Sequence, residues 1–229
     1  MVDSVNEHPP RALLLSAGDA DEVADLLDAR LVSAALEALA GMPAEALSLR
    51  KVARGLGVSH QAPYVHFGSK RRFLAAIAGA GLQQAAGDAS AAVAAAGSDP
   101  RRRLDALGRS YLDFVRTRPH VHDLAYGPMV AKSDHPLLQN AAIAYWSLLR
   151  DAVAACQPPG ISEPEVLRRS TAAWGTVYGI ARLSALHQIP DSVPTDIDGL
   201  IHTAIAVLIA GWQAKPPQDS GATTKLSPA

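Results

Sequence analysis

The chain has 229 residues, 48% hydrophobic, 19% charged and 5% aromatic, and its 21 Lys and Arg nearly balance its 22 Asp and Glu. That composition can bury a core without staples and excludes wholesale disorder. The single cysteine, Cys156, excludes an internal disulfide and a cysteine-built zinc site.

The predicted elements follow in chain order. Residues 1–20 contain Pro9-Pro10 and Gly18 without sustained periodicity, which predicts a flexible tail. Asp3, Glu7 and the brief Leu13-Leu14-Leu15 patch do not make a signal peptide. Val23, Leu27, Leu31, Ala34, Ala35 and Ala38 recur at helical spacing, so a helix is expected over 21–40, ended by Gly41-Met42-Pro43. Ser48 suits an N-cap, and Leu49, Val52, Ala53 and Leu56 form the apolar stripe of a short second helix. Gly57 suits a left-handed C-terminal position. Ser59 is read as capping a third helix that carries Pro63 early and runs to about Phe67. Gly68 breaks the chain and Ser69 caps a fourth helix reaching about Ala96.

Further helices are expected over Arg101–Arg118, in part of Pro119–Pro136, and over Leu137–Gln157, Glu163–Gln188 and Asp196–Lys215. No stretch alternates as a strand does, so the fold class is all-α. The longest run free of Asp, Glu, Lys and Arg is 199–214, 16 residues, short of the roughly 20 that a membrane span needs. A soluble, cytoplasmic protein with no membrane partner is expected. The domain reading is a tail at 1–20, a helix-turn-helix domain at 21–75, an effector-binding and dimerisation domain at 76–215, and a disordered tail at 216–229.

Charge is unevenly spread. Between Ser48 and Arg72 stand Arg50, Lys51, Arg54, Lys70, Arg71 and Arg72 with no acidic residue, leaving 15 basic and 22 acidic residues elsewhere. One face for a polyanion, carried on a mildly acidic body, fits this separation. Three short helices joined by Gly/Ser turns give the face a helix-turn-helix form. In this window Val52-Ala53, Gly57-Val58-Ser59, Tyr64-x-His66-Phe67 and Ser69-Lys70 before an apolar helix resemble the N-terminal DNA-binding domain of TetR-type transcriptional regulators.

A recognition helix enters the major groove by its start, where Ser59, His60 and Gln61 stand. Gln61 can pair with adenine, the His60 ring can meet base edges, and Ala62 can touch a thymine methyl. The resemblance implies backbone contacts from Tyr64, His66 and Lys70; Ser48 and Arg50 are candidate phosphate anchors on the other side.

The segment Ala173-Trp174-Gly175-Thr176-Val177-Tyr178-Gly179 resembles the subgroup whose C-terminal domain carries a Trp…His-Gly pattern, with Tyr178 where that pattern has His. The family resemblance implies a C-terminal ligand cavity and a homodimer. Aromatic and polar residues on apolar helices nominate Tyr111, Phe114, His122, Tyr126, Tyr145, Trp146, Trp174 and Tyr178 for the cavity, with His187 as a further polar contact. Leu183, Leu186, Ile205, Leu208 and Trp212 are candidates for the dimer interface. Gly175 and Gly179, one turn apart, predict close approach by another helix, within the subunit or across a dimer. His120, His122 and His135 have no partner at metal-ligand spacing, so neither a metal nor a cofactor is expected. The partners implied are a palindromic DNA operator, a small-molecule effector and a second copy. The function read is a repressor released by its ligand through movement of the fourth helix. The alternatives are a ligand-independent DNA binder and a helical enzyme using the His120–His135 segment.

Overall fold

The computed structural model describes residues 17–214 apart from 191, 194 and 195. The described residues form α-helices and two 3-10 turns, with no strand among them. The expected tail at 216–229 lies outside the described residues, as do residues 1–16. Helix α1 (Ala17–Ala38) starts inside the segment read as tail. Gly18 does not stop it, because one glycine costs a helix only about 1 kcal/mol.

Helix α2 (Leu49–Gly55) is capped by Ser48, whose Oγ accepts from the Lys51 N–H at 3.4 Å. It ends as its glycine requires: Gly57 has φ +69°, Gly57 N–H donates to Arg54 O at 3.0 Å, and Val58 N–H donates to Ala53 O at 3.0 Å. Those paired bonds satisfy the last carbonyls and turn the chain sharply. Helix α3 (Ala62–Phe67) begins later than Ser59. The Ser59 Oγ instead accepts from the Gln61 N–H at 3.2 Å in the turn before it.

Helix α4 (Lys70–Ala95) is capped by Ser69, which accepts from the Arg72 N–H at 3.2 Å. Then follow α5 (Pro100–Thr117), α6 (Pro119–Tyr126), α7 (Pro136–Ala155), α8 (Glu163–Ala185) and α9 (Ile197–Gln213). The 3-10 turns are Ala44–Ala46 and Lys132–Asp134. Helix α8 stops short of the expected Gln188. Its chain reverses at His187, φ +52°, where Gln188 N–H donates to Leu183 O at 2.9 Å. His187 is exposed there and serves the turn; it does not reach a cavity.

Helix α4 is the axis of the molecule. Phe73, Leu74, Ile77 and Leu82 are buried, and so are Ala75, Ala76, Ala78 and Gly79 between them. A helix apolar on nearly every side must be enclosed. Small residues let α7 approach closely: a Cβ on Gly79 would lie 2.5 Å from the Leu138 backbone nitrogen. Ties of opposite charge cross the fold as well. Arg118 reaches Asp88 at 2.6 Å, Arg71 reaches Asp134 at 2.6 Å, and Arg182 pairs with Asp123.

Candidate functional site

Two features stand out, a basic face around α3 and an apolar cavity among α5–α9.

On α3 the sides divide cleanly. Ala62, Pro63 and Phe67 are buried, while His60, Gln61, Tyr64 and Val65 are exposed. Phe67 stacks on Phe73 with centroids 4.7 Å apart, anchoring α3 to the start of α4. His60 and Gln61 lie side by side, Nε2 to Nε2 at 3.3 Å. Arg50, Lys51 and Arg54 are exposed on α2 and Lys70 at the start of α4, and a shallow cleft runs between Arg50, Arg54 and His60.

Two expected contacts are corrected here. Ala62 is only 9% exposed, so it has little surface for a thymine methyl. Val65, 77% exposed and one helical turn from Gln61, presents the apolar group on that face. The spacing i, i+4 from Gln61 would have found it. His66 is turned toward α1: its Nδ1 lies 2.5 Å from Asp28 Oδ1, which engages the ring inside the protein. Lys70 is free on the first turn of α4, and Ser48 is half-buried at its cap.

The cavity holds about 230 Å³. Helix α5 contributes Leu104, Leu107, Gly108 and Tyr111; α7 contributes Ala142, Tyr145, Trp146 and Leu149. The remaining wall is Tyr126, Lys132, Ala173, Trp174, Val177 and Ile205. Tyr111, Tyr126, Tyr145, Trp146 and Trp174 are therefore brought together as expected.

Phe114, His122 and Tyr178 are not in this wall. Phe114 is 1% exposed behind His122, with ring centroids 5.6 Å apart. His122 is 1% exposed, its Nε2 2.8 Å from the Tyr111 hydroxyl, so it supports the wall from behind. Tyr178 lies beyond Tyr126, beside His122 at 5.9 Å between centroids. Ile205, expected at a dimer interface, lines the cavity, and Trp212, expected there too, is 8% exposed in the chain's own core. Lys132 escaped the sequence reading because it sits in a 3-10 turn, too short for any periodicity. Helix α4, through whose movement release by the ligand is expected, contributes nothing to its wall among the described residues.

Electrostatically the cavity wall carries one ammonium, Lys132, among phenols held neutral by burial. Burial pushes the Tyr126 phenol up to about 12, and pushes Tyr111 and Tyr145 further in the same direction. Burial holds the Lys132 ammonium below the ordinary lysine value. The buried Tyr145 hydroxyl has no hydrogen-bond partner in the protein, a deficit of about 1–3 kcal/mol for a buried polar group left unpaired. Lys132 Nζ donates to Ala125 O and stands 4.4 Å from the Tyr126 ring centre. Cys156 caps α7; burial raises its thiol to about 11, which leaves it protonated and inert. No group of three His, Cys, Asp or Glu able to hold a metal occurs among the described residues.

The face of α8 and α9 away from the cavity is open. A Cβ on Gly175, Gly179 or Gly211 would meet nothing within 4 Å. Among the described residues none comes within 4 Å of a Cβ at Gly175 or Gly179, which corrects the within-subunit reading of that pair. Leu183, Leu186 and Val207 are 50%, 54% and 65% exposed.

A short helix-turn-helix on a larger helical body is the architecture of a transcriptional regulator. Residues 31–77 match the family of bacterial regulatory proteins described as tetR family, and residues 104–208 match the tetracyclin repressor-like, C-terminal domain. The chain belongs to the TetR family of transcriptional regulators. The C-terminal match does not bear on the Trp…His-Gly subgroup. A protein of unknown function from Rhodococcus sp. RHA1 is 28% identical over 82% of this chain and 96% of its own, with a TM-score of 0.67. A transcriptional regulator from the same organism is 25% identical over 82% and 99%, with a TM-score of 0.57. A TetR variant from Acinetobacter baumannii AYE, solved with minocycline, is 21% identical over 86% and 96%, with a TM-score of 0.50. Comparison with curated protein sequences finds no match.

Proposed function

We propose that the chain is a homodimeric repressor that reads a palindromic operator through α3 and releases it when a small molecule fills the cavity. The observation that carries this reading is the exposed set His60, Gln61, Tyr64 and Val65, at the start of α3 and along it, beside a cleft lined by Arg50 and Arg54 and in a window with no acid between Ser48 and Arg72. In this reading Gln61 and His60 meet base edges, Val65 meets a thymine methyl, and Tyr64, Lys70, Ser48 and Arg50 hold phosphates. Ser59 shapes the turn that presents them. Two copies are needed because one short helix reads too few base pairs, and two-fold symmetry doubles the site about 34–36 Å away.

An apolar cavity in the helical body that carries this face supports ligand response, as does the fold it shares with a structure solved with minocycline. TetR-type regulators are generally non-enzymatic, and the histidines of the enzyme alternative do not converge. His122 bonds Tyr111, whereas His135 accepts from the Leu137 N–H at 3.2 Å and caps α7.

Selection of bound fragments from random DNA tests the reading. Wild-type protein is expected to recover an inverted repeat. Gln61→Ala should relax the recovered sequence at one position of each half-site, and Tyr64→Phe should weaken all sequences about equally. Recovery of no preferred sequence in low salt would overturn the proposal.

A further inference from the structure

The polar groups of the cavity are few enough to take one by one. The Tyr111 hydroxyl is spent on His122. The Tyr145 hydroxyl, in a side chain 8% exposed, has no partner. Among the described residues Lys132 is the only formal charge in the wall, and no carboxylate pairs with it. An ammonium has three donors, and one goes to Ala125 O. Tyr126, Trp146 and Trp174 add one polar N–H or O–H each to the wall, so the room is rich in donors and lacks an anion, and the rest of its lining is carbon. At about 230 Å³ it is smaller than the roughly 300–1,000 Å³ of drug-sized sites.

Resting on the reading of this cavity as the effector site, we propose that it takes a small apolar monocarboxylic acid. The carboxylate is held by Lys132 and Tyr145, and the hydrocarbon or aromatic body lies among Leu107, Leu149, Val177 and Ile205. A neutral ligand of the same shape leaves the ammonium without its counter-charge, and a dianion brings a second charge to a wall that has no second cation.

The same geometry carries occupancy to the DNA-binding end. Helix α4 does not line the cavity but packs on α5 and α7, which do, and a polar link to its first turn is added by the 3-10 turn Lys132–Asp134. Its first residue faces the ligand. Its last, Asp134, accepts at one oxygen from the Ala131 N–H and from Arg71 Nε, both at 2.6 Å. Arg71 lies on the first turn of α4, directly after the recognition helix. The next residue, His135, sits 6.2 Å from Phe67 of α3, centre to centre. An acid that draws Lys132 into the cavity thus loads the contact that sets the start of α4.

The experiment uses octanoate and trans-cinnamate, with octanamide and cinnamamide as neutral matches. Binding to the full chain is followed by tryptophan emission and by the melting temperature. The acids are expected to bind wild type about tenfold or more tighter than the amides, the scale of one charge-assisted hydrogen bond. Lys132→Met should bring the acid-to-amide ratio to about one, Lys132→Arg should keep the preference, and Tyr145→Phe should weaken the acids several-fold. Asp134→Asn should bind the acids as wild type does while its affinity for selected DNA no longer responds to them.

Equal binding of acids and amides, no binding by either acid at millimolar concentration, or a preference that survives Lys132→Met would each overturn the acid site. An undiminished DNA response in Asp134→Asn would overturn the link. Protein that binds the acids but selects no DNA would sink the regulator reading and leave the acid site standing. Protein that selects DNA and ignores the acids would do the reverse.

Discussion

His122 is held by one hydrogen bond from behind the cavity wall, and burial keeps its imidazole below the ordinary value of 6.5. Asp123 opposes that shift, while Arg182 and Lys132 reinforce it. The unfolded chain therefore takes up a proton at a pH where the folded chain refuses it. Stability contributed by the neutral ring is whole above 6.5 and is lost as pH falls toward the depressed folded value. Between about pH 8 and pH 5 the wild-type melting temperature should fall more than that of His122→Gln, in thermal melts across that range. Equal slopes for the two proteins would show that this ring does not titrate on unfolding. The residue scale is also where sequence reading erred most. Phe114, His122 and Tyr178 are aromatic neighbours of the cavity, and only their side-chain directions exclude them from its wall. Ala62 and Val65 differ likewise in direction alone, one inward and one outward on the same helix.

Among the elements, α4 shows how a run of alanine and glycine becomes a structural device. Gly79 meets the backbone of Leu137 and Leu138, which cannot move aside as a flexible side chain can. Gly79→Ala should therefore cost about 1–3 kcal/mol through overpacking, read from denaturant midpoints. Gly87→Ala, in the same helix with nothing within 4 Å, should be neutral or stabilising by up to about 1 kcal/mol. If both substitutions stabilise alike, the close approach of α4 and α7 is not rigid. Helix identities were legible because stripes such as Leu104, Leu107, Tyr111 and Phe114 repeat at 3.6 residues, and caps such as Ser48, Ser69 and Gly57 act locally. The turn Lys132–Asp134 was not legible, since three residues hold no period.

At the scale of the whole molecule, the exposed Leu183, Leu186 and Val207, beside glycines with open space above them, fit a second copy better than solvent. Leu183→Glu is expected to shift the protein from dimer to monomer at micromolar concentration, by sedimentation. DNA affinity should fall with it, because the two recognition helices are no longer joined. Wild-type protein that sediments as a monomer while binding an inverted repeat would defeat that expectation.

The sequence by itself determined the all-helical class, the helix-turn-helix and its basic face, because capping, periodicity and charge are properties of neighbouring residues. The tertiary structure alone decided which aromatics line the cavity, that Ile205 and Trp212 point into the chain's own core, and that Lys132 lines the cavity while Asp134 pairs with Arg71 of α4. Those facts depend on residues far apart in sequence meeting in space, where packing chooses one direction for each side chain.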